Sequence, residues 1–188
     1  MVTVNITTTN RARNKKINDY RGDFNEFLCS QFFEQNNYLV LKLVLKRKCV
    51  DEQYKHDVNL EVCTDLGVVG QKDLCKFLVD NVAGLPDFYC RNKSTNEIVF
   101  VECKAEGWNL TPIQQSVCER LVDQGQTVLQ FITTVQFIER DNQSADAQKR
   151  LQNPKVTDVK YGTTEIRTFG SSNLPNLAKM QLTIDSFE

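Results

Sequence analysis

Residues 85–132 constrain the fold more than any other stretch of this chain. Two short β-prone runs, 85–90 and 98–104, flank the polar turn 91–96, and that spacing predicts an antiparallel strand pair. Thr111 and Pro112 then open a helical run that stops at Gly125. Threonine suits an N-cap, proline is tolerated in the first turn, and glycine ends a helix readily. Residues 127–132 follow as a buried-type strand. Two strands, a capped helix and a further strand predict a mixed α/β layer structure, with helices flanking a central mixed sheet.

The flanks extend this pattern. Tyr20, Phe24, Phe27, Leu28 and Phe32 recur at helical spacing through 18–36, with Asp23, Glu26, Ser30 and Glu34 on another face and Asn36-Asn37 as a stop. Residues 38–45 read as one strand. Residues 71–82 read as a helix with Leu74, Phe77, Leu78 and Val82 on one face and Gly84 as its stop. The segment 50–68 is polar and gives no clear period. The expected division is a basic N-terminal arm over 1–17 with an edge strand near 2–6, a core over 18–139, and a C-terminal extension over 140–188. That extension, with a short helix near 145–151 and strands near 156–161, 164–168 and 180–184, is expected to complete the sheet or form a dimer interface.

A chain of 188 residues with 40% hydrophobic and 25% charged composition suits one domain that needs no covalent staples. No apolar run approaches the ~20 residues that span a bilayer, and no secretory leader pattern is present. The expectation is an intracellular, cytoplasmic protein without a membrane partner. Seven scattered cysteines with no C-x-x-C pair, and a single histidine, His56, argue for buried reduced thiols rather than a structural zinc site. The net charge of −1 does not announce a nucleic-acid binder, but its distribution is uneven. Arg11, Arg13, Lys15, Lys16 and Arg21 cluster early, and Lys42, Lys46, Arg47 and Lys48 follow the first apolar run. Such clusters suit a phosphate-tracking surface or a solvated arm and strand end, and charge alone leaves both open.

The chemistry concentrates in Glu102-Cys103-Lys104. Side chains at i and i+2 on a strand share a face, so Glu102 and Lys104 emerge together while Val101 and Cys103 point the other way. Asp87 on the preceding strand lies across from them if the pair is in register. Two carboxylates suit a hard divalent cation such as Mg²⁺, with the Cys103 backbone carbonyl as a further ligand and waters or substrate phosphate completing the shell. Flanked by two acids, Lys104 is expected to orient the attacking water and stabilise transition-state charge, with general base as the alternative. Glu-x-Lys alone also fits a cross-strand salt bridge. Asp87 directly after Gly84-Leu85-Pro86, opening an apolar strand, favours the chemical reading.

Taken together, Gly84-Leu85-Pro86-Asp87-Phe88, Phe100-Val101-Glu102-Cys103-Lys104, Leu110-Thr111-Pro112-Ile113-Gln114, and the helix and strand after them resemble the PD-(D/E)xK nuclease superfamily. The pattern is most similar to virus-type replication-repair (VRR-NUC) nucleases and archaeal Holliday junction resolvases, and covers about residues 18–132. The resemblance implies a restriction-endonuclease-like α-β-β-β-α-β core and a Mg²⁺- or Mn²⁺-dependent DNA endonuclease, with Asp87 and Glu102 on the metal, Lys104 serving the water and Gln114 at the site. Branched DNA is the substrate it suggests, and a homodimer suits cutting both strands. It also puts Glu26 at the position of a first-helix glutamate, a residue that equally fits a solvated helix face. Trp108, in the loop after the motif, fits either base stacking or packing. The stretch 50–83 is longer than a compact resolvase core needs. A restriction-type nuclease with base contacts from the tail, and a non-catalytic DNA-binding or assembly protein, are the competing expectations.

Overall fold

The computed structural model describes residues 2–6, 17–48, 54–138 and 158–169. Strand β1 (Val2–Ile6) opens it, followed by helix α1 (Ile17–Gln35), which buries Leu28, Cys29, Phe32 and Phe33. The stop at Asn36-Asn37 is as the sequence reads it: Asn37 takes φ 66°, the left-handed conformation that asparagine tolerates at a helix end. Next come β2 (Tyr38–Lys42), β3 (Val44–Lys48), β4 (Tyr54–Val58), α2 (Leu60–Val68) and α3 (Lys72–Asp80). A single 3-10 turn at Val82–Gly84 leads to β5 (Phe88–Asn92), β6 (Ile98–Ala105), α4 (Pro112–Asp123), β7 (Thr127–Ile138) and β8 (Asp158–Thr168).

The architecture is mixed α/β. Six strands run in the order β1-β8-β7-β6-β5-β2, and β3-β4 form a separate two-stranded ribbon. β6 and β7 are parallel, and the other neighbours in the large sheet are antiparallel. The parallel step needs a crossover, which α4 provides. Leaving aside the insertion β3-β4-α2-α3, the run α1-β2-β5-β6-α4-β7 has the expected α-β-β-β-α-β order.

Strand alternation separates the two faces. Tyr89, Phe100 and Val128 pack with Val117, Cys118 and Leu121 of α4, in one core with Val62 and Leu66 of α2 and Leu74 and Leu78 of α3. On the opposite face α1 covers the sheet: the rings of Phe32 and Phe131 lie 5.8 Å apart, and Phe33 meets Tyr38 edge-on at 5.2 Å. Glu102 and Lys104 share their strand face with Phe100 and so project toward α4, while Val101 and Cys103 face α1.

Several sequence expectations need correction. The single strand over 38–45 is broken at Leu43. This fully buried residue donates its N–H to the Asp87 carbonyl (3.0 Å) and accepts the Asn59 N–H (2.9 Å), which turns the chain out of the sheet and into the ribbon. The unassigned segment 50–68 contains β4 and α2, the latter capped by the Asn59 side chain on the Glu61 N–H (3.0 Å). Strands near 156–161 and 164–168 are one strand, β8, which completes the sheet and pairs with β1. The arm and extension therefore each contribute a strand to the same sheet as the core. The expected helix near 145–151 and strand near 180–184 lie outside the described residues. The expectation of reduced thiols throughout fails at Cys63 and Cys75, which form a disulfide between α2 and α3 with Cα atoms 5.2 Å apart. Linear spacing hides this pair because the turn between the two helices is what brings them together. Cys29, Cys90, Cys103 and Cys118 are free.

Gly84 also has another role than the helix stop read from sequence, since α3 has already ended at Asp80. A Cβ at Gly84 would stand 2.7 Å from Ile113 Cγ2, 2.8 Å from Val117 Cγ2 and 2.9 Å from the Ile113 carbonyl. The glycine is what lets α4 approach the 3-10 turn. Gly84→Ala is expected to destabilise the fold by about 1–3 kcal/mol, outweighing the gain in unfolded-chain entropy. A thermal melt indistinguishable from wild type would show that α4 has room to move.

Candidate active site

One end of the sheet gathers the chemistry, because antiparallel β2, β5 and β6 bring the end of β6, the start of β5 and the end of β2 together. Phe88 pairs with Val101, and extending that register one step sets Asp87, in the bend before β5, across from Glu102. Asp87 is held from both sides. Its Oδ2 accepts the Cys103 N–H at 2.7 Å, and its backbone carbonyl accepts the Leu43 N–H.

Glu102 is only 1% exposed. Its Oε1 accepts hydrogen bonds from Lys104 Nζ at 2.6 Å and from Gln114 Nε2 at 2.7 Å. Its Oε2 is buried without a hydrogen-bond partner. Gln114 is the third residue of α4 and completes a capping box with Thr111. The Thr111 N–H and hydroxyl donate to Gln114 Oε1 at 3.0 and 3.2 Å, and Lys104 Nζ donates to the same oxygen at 3.2 Å. With three donors on Oε1, the amide presents Nε2 to Glu102. The cap of α4 thus serves the helix end and also orients a residue of the acidic site. The threonine is readable from sequence as a cap; the signal overlooked there is Thr-x-x-Gln over 111–114, the capping-box pattern itself.

Electrostatics set the two acids against each other. Burial raises the Asp87 pKa most, outweighing the Cys103 N–H that lowers it, and the negative charge of Glu26 adds to the rise. Burial, followed by the charge of Asp87, raises Glu102 toward neutrality despite the opposing Lys104 hydrogen bond. Such a pair favours taking up a proton or a cation.

Glu26 lies close enough for its charge to raise both Asp87 and Glu102. It belongs to α1, on the opposite face from Glu102, and its carboxylate is ion-paired to Lys42 Nζ at 2.5 Å. With Phe27, Ser30, Lys42 and Phe88 it lines a hollow of about 390 Å³. It acts on Asp87 through charge, not contact. A hollow of about 510 Å³ beside α3 involves none of these residues. The Cys103 side chain is hydrogen-bonded to Cys29, and burial pushes both thiols up, so neither is a ready nucleophile.

Trp108 is 61% exposed in the loop after β6, which does not suit a packing role. Lys46 is exposed, with Nζ 5.0 Å from the centre of the Tyr54 ring. Arg21 lies in α1, and Arg47 and Lys48 lie in β3. Arg11, Arg13, Lys15 and Lys16 lie outside the described residues.

Among the described residues no three His, Cys, Asp or Glu side chains gather closely enough to hold a metal by themselves. A hard dication needs fewer, since one or two carboxylates with waters and substrate oxygens suffice for Mg²⁺. The donor set fits that pattern: two acidic side chains raised by burial, one of them with an unpartnered buried oxygen. No described helix is long and apolar enough to cross a membrane. Compared with protein-family models, curated proteins and solved structures, the chain shows no match.

Proposed function

We propose that this protein is a divalent-metal-dependent DNA endonuclease of the PD-(D/E)xK type. The observation that carries the reading is Glu102, a carboxylate buried beside Asp87 and gripped on one oxygen by Lys104 and Gln114, with its other oxygen unpartnered. A salt bridge serving stability alone has no use for that second oxygen, because burying it costs desolvation that nothing offsets.

Asp87, Glu102 and the Cys103 carbonyl would hold Mg²⁺ or Mn²⁺. When bound, the ion would supply Lewis-acid polarisation of the phosphodiester and a water of lowered pKa. The chain's own residues do the rest. Asp87 is fixed by the Cys103 N–H, so its free oxygen is positioned before substrate arrives. Lys104, 15% exposed, holds its ammonium at the boundary between Glu102 and solvent. There it orients the attacking water and offsets negative charge on the phosphorane-like transition state. Gln114 prevents Glu102 from rotating away. In the reaction, water adds to phosphorus and the bond to the leaving sugar oxygen breaks.

The test is incubation with labelled linear duplex, single-stranded, flap and four-way-junction DNA in Mg²⁺, Mn²⁺ or EDTA. The expected result is metal-dependent cleavage of at least one substrate and none in EDTA. Binding without cleavage on every substrate with both metals would favour a non-catalytic DNA-binding protein.

A further inference from the structure

We infer that the β3-β4 ribbon is a duplex-binding arm, which grips the phosphate backbone a few nucleotides to one side of the scissile bond. The inference rests on the nuclease reading for where the cut strand lies.

An isolated two-stranded ribbon is marginal in water and needs anchoring. Among the described residues the anchoring lies at its root, where Val58 is buried in the α4-side core and Val44 packs against that core. The Asn59 N–H bonds the Leu43 carbonyl, and the Asn59 side chain bonds the Lys42 carbonyl at 3.0 Å. Beyond the root the ribbon changes character. The register pairs Lys46 with His56, Arg47 with Lys55 and Lys48 with Tyr54. Within a chain of net charge −1, these two five-residue strands carry four lysine or arginine residues against one acid, Asp57.

Charged edge strands also guard against aggregation. That explanation does not cover Tyr54, which is 60% exposed with Lys46 Nζ over its ring. An exposed aromatic under a cation is a poor aggregation guard and a good platform beside a sugar-phosphate backbone. Lys55 is 71% exposed and only loosely paired to Asp57 at 4.0 Å, so its charge remains available.

Position supplies the link to the site. Leu43, at the ribbon's root, donates its N–H to the carbonyl of Asp87. Lys46 follows three residues later, roughly 10 Å along a strand. That reach equals about three nucleotide rises along one strand of duplex DNA. A two-stranded ribbon also fits the width of a major groove, whereas a flexible single strand presents no such groove.

The test separates binding from cleavage. Anisotropy in EDTA is measured for a labelled 30-base-pair duplex and its single strand (about three helical turns of DNA) across a salt series. The comparison is between wild type, Lys46→Glu/Lys55→Glu, and Lys72→Glu/Lys76→Glu, an equal charge change on α3, with circular dichroism to confirm folding. The ribbon variant is expected to bind duplex at least about tenfold more weakly, with a log–log salt slope shallower by about two. The α3 variant and single-strand binding are expected to change much less. Duplex affinity within twofold of wild type, an equal loss in the α3 variant, an equal loss on single strands, or no wild-type binding to duplex would each overturn the inference. A protein that never cuts DNA yet loses duplex binding through the ribbon variant would refute the nuclease reading and leave the ribbon assignment standing.

Discussion

Asp87→Ala and Lys104→Ala are each expected to lower metal-dependent cleavage by at least about a hundredfold, with unchanged duplex binding in EDTA. The magnitude follows from what each residue supplies. Asp87 removes a preorganised carboxylate already fixed by the Cys103 N–H, and so removes most of the cation's affinity at the site. Lys104 removes the ammonium placed 2.6 Å from Glu102, where water orientation and charge stabilisation together are typically worth 10²–10⁴ in rate. Gln114→Ala should cost less, about tenfold, because it acts by holding Glu102 and Lys104 rather than by touching the phosphate. Single-turnover rates on the preferred substrate check all three. Full activity in either the Asp87 or the Lys104 variant would move the active site elsewhere.

The trio and its partner helix were legible because strand alternation and helix capping are local rules. Glu102 and Lys104 two residues apart on a strand share a face, and Thr111-Pro112 favours a helix start, without reference to distant parts of the chain. What sequence could not supply was every relation that depends on distant pairing. Leu43 sits inside an apolar run that reads as one strand, and its break is caused by hydrogen bonds to Asp87 and Asn59, sixteen or more residues away. Segment 50–68 shows no clear period in sequence because, among the described ribbon residues, Val44 and Val58 at the root are those that reach the core. Analogy puts Glu26 at the site, but the pairing of its carboxylate with Lys42, delivered by β2, depends on distant strand placement. Cys63 and Cys75 pair only because α2 and α3 fold back on each other.

Removing metal should make the fold's stability fall as pH rises, and Asp87→Asn should make that fall shallower. Asp87 and Glu102 both have folded-state pKa values above those of an unfolded chain, through burial first. Their folded state therefore binds protons that the unfolded state has released. The stability they contribute is complete below the ordinary carboxyl range, near pH 4, and is lost as pH climbs through the raised values toward neutrality. Asp65 has the opposite sign, since its Arg91 partner lowers its pKa. Its contribution is present above the ordinary range and lost only in stronger acid, so it leaves this window undisturbed. Replacing Asp87 by asparagine removes one of the two charges and keeps an acceptor for the Cys103 N–H. In EDTA at about pH 8, Asp87→Asn is expected to be more stable than wild type by about 2 kcal/mol, or several degrees in melting temperature. Mg²⁺ or Mn²⁺ should raise the wild-type melting temperature more at that pH than near pH 5.5, because the cation competes with the protons, and should do little to the variant. Parallel pH profiles for the two proteins in EDTA would mean that Asp87 and Glu102 do not confront each other as buried charges. Metal would then have no reason to settle between them.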